Sequence, residues 1–150
     1  MQLSRFTDFG LRVLMYLCAP ARERPVTVAE IAERFEVSLH HLNKVVQFLA
    51  RQGWVVTHRG KGGGLSLAHP PGDYKLGHVI RLLEGGLPLI DCVEPACALH
   101  RHCGLKPMLD QAQTAFYNAL DTYTPADTHT DRTQAVILRL HRQSQGTARH

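Results

Sequence analysis

Residues 27–53 read TVAEIAERFEVSLHHLNKVVQFLARQG, and the order of helix signals inside this stretch decides the fold. Thr27 is a natural N-cap, and Glu30 three residues later makes a capping box with it. Val28, Ile31, Ala32 and Phe35 then recur at helical spacing and form one narrow apolar face. After the short turn Glu36-Val37, Ser38 caps a further helix whose apolar face is Leu42, Val45, Val46 and Leu49. Gly53 ends it as a C′ glycine. Two short helices joined by a tight turn, each with a single apolar stripe, match a helix-turn-helix.

The outward face of the second of these helices carries His40, His41, Lys44, Gln47 and Arg51, with Ser38 at its start and no acid among them. Such a set suits backbone phosphates and base edges as partners. Two β-prone segments follow, Trp54–Thr57 and Leu65–Ala68, joined by His58-Arg59-Gly60-Lys61-Gly62-Gly63-Gly64. A plain flexible hairpin loop would also read this way. Placed directly after a candidate recognition helix, a basic glycine-rich hairpin reads better as a wing, with Arg59, Lys61 and Gly62 against the phosphate backbone. Pro70-Pro71-Gly72 closes the unit, so residues 1–75 form the winged helix-turn-helix DNA-binding region of a mainly α fold with a two-stranded wing.

Upstream, Phe6, Gly10, Val13, Leu14 and Leu17 place a helix at roughly Thr7 to Cys18, followed by a turn from Pro20 to Pro25. Downstream, residues 76–104 hold a linking helix (Leu76, Val79, Ile80, Leu83) that stops at Gly85-Gly86, and then a cysteine loop over about 87–104. A long helix follows with Leu105, Met108, Leu109, Ala112, Phe116, Ala119, Leu120 and Tyr123 on one side. That stripe exceeds what a small winged helix needs for its own core, and makes 105–123 a dimer surface, intramolecular packing being the alternative for part of it. Thr124-Pro125 starts a turn, and Val136, Ile137 and Leu140 mark a short final helix that completes the segment 105–143. Residues 144–150 read as a disordered tail. No internal repeat is visible.

Composition agrees with a DNA-binding chain of this kind. The hydrophobic content of 44% is ordinary for a globular chain, and no apolar run approaches the roughly 20 residues of a membrane span. The start MQLSRFTDFG has no signal-peptide apolar core, which points to the cytoplasm. The net charge of +4 lies wholly in residues 1–75, with ten Lys and Arg against six Asp and Glu, while residues 76–150 carry seven of each. A basic half facing a neutral one fits a polyanionic partner, although a solvated basic surface would look the same.

Four cysteines in a cytosolic chain favour metal or redox chemistry over disulfides. Cys92 and Cys97 are separated by four residues, and Cys97 and Cys103 by five. Zinc sites usually contain a pair two to four residues apart, a limit this spacing just reaches, but no second C-x-x-C is present, and bacterial ferredoxins use shorter gaps and four cysteines in a run. Three thiolates spread over twelve positions suit an iron–sulfur cluster seated in a loop with one coordination position left over. Thiol redox sensing and incidental cysteines are the alternatives. For the fourth ligand, Cys18 sits on an apolar helix and reads as a buried thiol, His100 and His102 lie inside the loop, and Asp8 sits in the first turn of the first helix. An acid there already interacts well with a helix N-terminus.

Taken together, these residues resemble the NsrR-type nitric-oxide-sensitive repressors of the winged-helix group that also contains IscR. The resemblance rests on residues 1–12, on Val37-Ser38 with His41 and Lys44, on the wing Arg59 to Gly64, on the three-cysteine loop and on Leu120 to Asp127. It runs over about residues 1–127 in order. It implies a homodimeric, non-enzymatic repressor with one iron–sulfur cluster per subunit, 2Fe–2S or 4Fe–4S, held by Cys92, Cys97 and Cys103. Asp8 from the other subunit is the implied fourth ligand. The implied partner is palindromic double-stranded operator DNA, released when nitric oxide reacts with the cluster, and no membrane is involved.

IscR-like relatives use a histidine three residues past the third cysteine, where this chain has Lys106. A regulator of cluster supply or oxidative stress is the nearest alternative. A non-regulatory iron–sulfur electron carrier would leave the basic helix-turn-helix without a purpose. Two departures touch the DNA face: Leu39 stands where some relatives have arginine, and Gly62 replaces the more usual asparagine of the wing.

Overall fold

A computed structural model describes residues 2–20, 25–60, 62–100 and 102–146. The elements run α1 (Arg5–Leu17), α2 (Val28–Arg34), α3 (Leu39–Arg51), β1 (Val55–His58), β2 (Gly64–Leu67), α4 (Leu76–Leu83), α5 (Leu105–Leu120) and α6 (Asp131–Gly146). The chain divides into two units, Met1–Tyr74 with Thr124–His150, and Lys75–Tyr123.

In the first unit, Ser4 starts α1 two residues earlier than the apolar periodicity indicates, its Oγ accepting from the Thr7 amide at 3.2 Å. Thr27 caps α2 through its side chain, accepting from the Glu30 amide at 3.1 Å. The Glu30 carboxylate accepts the Tyr16 hydroxyl at 2.6 Å and so ties α1 to α2. Ser38 sits at the N-cap of α3 without a side-chain cap bond.

Both helices of the helix-turn-helix end in the same hydrogen-bond pattern. At α3, Gly53 N–H donates to Ala50 and Trp54 N–H to Leu49, each at 3.0 Å. At α2, Glu36 N–H donates to Glu33 and Val37 N–H to Ala32. This is the Schellman arrangement, in which a left-handed residue turns the chain back onto the last carbonyls. Gly53 takes that position with φ 73°, and Glu36 takes it with φ 53° despite its side chain. The tight turn that defines the motif is therefore a helix stop with a defined exit angle.

The core of this unit is the inward face of α3. Leu42, Val45, Val46 and Leu49 are all buried, against Val13, Leu14 and Tyr16 of α1 and Ile31 and Ala32 of α2. Each such side chain contributes about 1.5–3 kcal/mol on burial, so their sum fixes which face of α3 turns to solvent. An aromatic row extends this core: Phe6 meets Phe48 edge-on at 5.5 Å, and Phe48 meets Trp54 at 6.5 Å.

β1 and β2 pair antiparallel, with Val55 opposite Leu67 and His58 opposite Gly64. Each strand is displaced one residue from the β-prone segments of the sequence, because Trp54 is taken up by the α3 stop and Gly64 by the ladder. Leu65 N–H donates to Val26 at 2.7 Å, which moors the hairpin to the entry of α2. Tyr74, buried, accepts from the His69 amide at 2.8 Å and donates to the Trp54 carbonyl at 2.9 Å, closing the base of the hairpin.

The C-terminal segment departs from its sequence reading. The last helix is not short: α6 spans Asp131–Gly146, so residues 144–146 of the expected tail are helical, and residues 147–150 lie outside the described set. Nor does it group with α5. Ile137 and His141 are buried, and the His141 ring packs 4.3 Å from Tyr16. Arg34 Nε donates to Ser144 Oγ at 2.9 Å, and His129 Nε2 lies 3.0 Å from the Met15 carbonyl. The α6 contacts with Tyr16 of α1 and Arg34 of α2 place this helix in the winged unit.

In the second unit, α4 packs on α5. A Cβ on Gly77 would collide with the Tyr117 carbonyl, so the two helices approach as closely as backbones can. Asp121 accepts from the His78 amide at 2.8 Å, and Arg81 stacks over the Tyr117 ring at 4.7 Å. Tyr117 is the buried residue of α5. The apolar stripe read from the sequence lies instead at the surface of this single chain, with Leu105, Met108 and Tyr123 more than half exposed. Among the described residues no helix is long and apolar enough to cross a membrane.

Candidate nucleic-acid interface and thiol loop

Burial of one face of α3 presents the other. His40, His41, Lys44, Gln47 and Arg51 are all exposed, and positions 40, 44, 47 and 51 follow one line along the helix. The His40 and His41 rings lie 5.9 Å apart at its N-terminal end. Ser38 is exposed at the cap. No carboxylate stands within α3, so an approaching phosphate meets only neutral and cationic groups.

Leu39 is a residue the sequence reading treated only as a departure. It is 46% exposed at the first position of α3, an apolar side chain among polar ones. The available signal was the hydrophobic residue directly after the cap. Recognition helices meet base edges with their N-terminal residues, and apolar side chains there contact the thymine methyl group.

The hairpin tip is a turn in which Gly63 N–H donates to Gly60 at 2.9 Å, with Gly60 and Gly62 at φ 94° and 87°. These values favour glycine, and Gly60 and Gly62 have no side chain to cover their backbone. Arg59 and Gly62 are exposed. Lys61 lies outside the described residues.

The cysteine loop is built from turns. Asp91 Oδ1 accepts from the amides of Val93 and Glu94 at 2.8 and 3.3 Å, and these bonds hold its carboxyl below the usual carboxylate range. Cys97 N–H then donates to Cys92, His100 N–H to Cys97 and His102 N–H to Leu99. Cys92 is buried, Cys97 exposed and Cys103 half-buried, and all are free thiols. His100 and His102 are exposed. Lys106 donates to both oxygens of Asp110 at 2.9 and 2.7 Å. That pairing raises its pKa, and the neighbouring sulfurs of Cys92 and Cys103 act in the same direction. A lysine held in this way does not take the place of a ligating histidine.

Among the described residues no three His, Cys, Asp or Glu side chains are gathered around a point where a metal ion would sit. The donor chemistry nevertheless fits an iron–sulfur cluster: three free thiols come from one loop, and Cys92 and Cys103 are close enough to Lys106 to act on its charge. Cys18, by contrast, is pushed up to about 12 by burial and is a protonated, inert thiol. Asp8 is bound on its own helix, accepting Arg12 Nε and Nη2 at 2.9 and 2.8 Å.

The sequence model of the Rrf2 family, described as an iron-dependent transcriptional regulator, matches residues 3–131. A protein of Geobacillus kaustophilus (strain HTA426), named HTH-type transcriptional regulator NsrR, is 39% identical over 135 residues, covering 88% of this chain and 92% of its own length. Among solved structures, T. potens IscR is similar with a TM-score of 0.68 and 30% identity, covering 90% of each chain. CymR, titled the global cysteine regulator of B. subtilis, is similar with a TM-score of 0.66 and 26% identity, covering 87% of this chain and 99% of its own.

Proposed function

The chain belongs to the Rrf2 family of transcriptional regulators, and from that premise we propose an operator-binding repressor whose hold on DNA depends on an iron–sulfur cluster and is relieved by nitric oxide. The observation that carries this reading is the coexistence of three free thiols in one loop with an acid-free, exposed face on α3. The likeness to a protein named NsrR and the family's iron dependence support it. The relatives are named as regulators, which agrees with a chain that carries no catalysis.

On this reading α3 enters the major groove with Leu42, Val45, Val46 and Leu49 anchoring it from behind. His40, His41, Lys44, Gln47 and Arg51 meet phosphates and base edges, and Ser38 stands at the helix entry. Arg59, Lys61 and Gly62 of the wing lie along the backbone. The stripe on α5, about 24 Å long, pairs with a second copy in the cytoplasm, and a dimer on a palindromic operator needs its two recognition helices about 34 Å apart.

Cys92, Cys97 and Cys103 would hold the cluster, with Asp8 of the partner subunit as fourth ligand. When bound, the cluster supplies an iron centre reactive toward nitric oxide. The role of this chain's own residues is positional. Asp8 lies one turn from the start of α1, and α1 packs on α3, so whatever engages Asp8 bears on the seat of the recognition helix.

Anaerobic purification followed by iron and sulfide analysis tests the cofactor. The expected product is coloured, with iron and sulfide in cluster ratio, and Cys97→Ala loses both. A colourless, iron-free anaerobic product would contradict the reading and favour a thiol-based regulator. A sensor of cluster supply is the second reading, and Lys106, paired with Asp110, counts against the histidine-ligated version of it.

A further inference from the structure

Between α1 and α3 lies a cleft of about 250 Å³ lined by Arg5, Phe6, Phe9, His41, Lys44 and Val45. Its floor is apolar: Val45 is buried, and Phe6 and Phe9 are half-buried, with Phe6 braced edge-on against Phe48 at 5.5 Å. Its rim carries three nitrogen-bearing side chains, Arg5 from α1 and His41 and Lys44 from α3, all exposed. No acid lines it. Among the described residues neither Arg5 nor Lys44 has a carboxylate partner.

An occupant of this cleft must be anionic at its edge and apolar in its body. It must also lie beside the outward stripe of α3, because His41 and Lys44 belong to both. A strand of DNA meets these conditions, presenting a phosphate and a deoxyribose ring in series. We propose that the cleft takes one sugar–phosphate of a DNA strand, with Arg5 and Lys44 on the phosphate and Phe9 under the sugar. This rests on the operator-binding reading and adds to it a contact from α1, outside the helix-turn-helix and the wing.

Phosphate contacts carry no sequence information, and each one removed lowers the slope of log affinity against log salt by about 0.9. The test is the salt dependence of binding by the full chain to an operator duplex and to a scrambled duplex, for wild type, Arg5→Ala and Arg5→Lys. Arg5→Ala should weaken both duplexes by the same factor, and its deficit should shrink roughly threefold to fourfold between 50 and 200 mM salt. Arg5→Lys should restore most of the loss, which a folding defect would not do. In a scan of single methylphosphonates, one neutralised phosphate should weaken wild type more than it weakens Arg5→Ala, in which Lys44 alone still meets it.

A wild type that binds DNA, alongside an Arg5→Ala variant with the same affinity and slope on both duplexes, overturns the assignment while sparing the operator reading. A wild type that binds neither duplex overturns the operator reading, and this assignment with it.

Discussion

Asp8 and Arg12 form a two-bond ion pair one turn apart on α1, at 2.9 and 2.8 Å, and the Arg12 guanidinium also lies 5.7 Å from the centre of the Phe35 ring. Phe35 is the C-cap of α2, directly before the turn into α3. The carboxylate assigned to a partner subunit's cluster is thus held by a side chain that also touches the helix-turn-helix. Ligation by Asp8 would have to compete with Arg12.

Both side chains of that pair are more than a third exposed, at 45% for Asp8 and 41% for Arg12, so the pair contributes at most about 1 kcal/mol. Arg12→Ala should therefore slow the loss of iron to a chelator by no more than about fivefold. Asp8→Ala should accelerate that loss well beyond this factor. Equal rates for wild type and Asp8→Ala would remove Asp8 from the ligand set.

Glu36 occupies a left-handed position that glycine fills at Gly53 and Gly85. A side chain there costs roughly 1–2 kcal/mol, part of which glycine returns through its freer unfolded chain. Glu36→Gly should accordingly stabilise the fold by up to about 1 kcal/mol and raise Tm by roughly 2–4 °C. A lower Tm would show that the Glu36 side chain makes a contribution larger than its backbone cost.

Cys18 and Cys97 should differ sharply toward iodoacetamide. Burial pushes the Cys18 thiol from 9.0 up to about 12, leaving roughly one part in ten thousand as thiolate at pH 8. Cys97 is exposed. Peptide mass spectrometry of the metal-free chain should find Cys97 labelled early and Cys18 last. Since the folded value lies above the unfolded one, the stability contributed by neutral Cys18 is complete below about pH 9 and is lost as pH rises from 9 toward 12. Cys18→Ala should flatten the alkaline fall in stability, and rapid labelling of Cys18 at pH 8 would refute its burial.

Arg59 tests the wing. If it meets a phosphate, Arg59→Ala should lower the salt slope by about 0.9 on any DNA sequence, and a slope equal to wild type would detach the wing from the backbone.

What the sequence reveals of the fold follows from the range of the forces involved. The helix-turn-helix and wing were legible because caps, turn residues and periodicity act over a few positions, as at Thr27 and Gly53. Nothing local marks Tyr117 as the buried residue of α5, since its burial depends on α4 closing over it at Gly77. The full length of α6 is not legible in its own sequence because its supports, Tyr16 and Arg34, stand more than 100 residues away. The sequence alone does not group Arg5 with His41 and Lys44, because their shared cleft exists only once α1 packs against α3.

The central claim is that DNA affinity follows the cofactor, and fluorescence anisotropy of an operator duplex under anaerobic conditions tests it most directly. The cluster-loaded dimer should bind, and nitric oxide or chelation of the iron should drop the affinity toward the non-specific level, about a thousandfold or more. Operator binding equally tight in the metal-free chain and unchanged by nitric oxide would contradict the account.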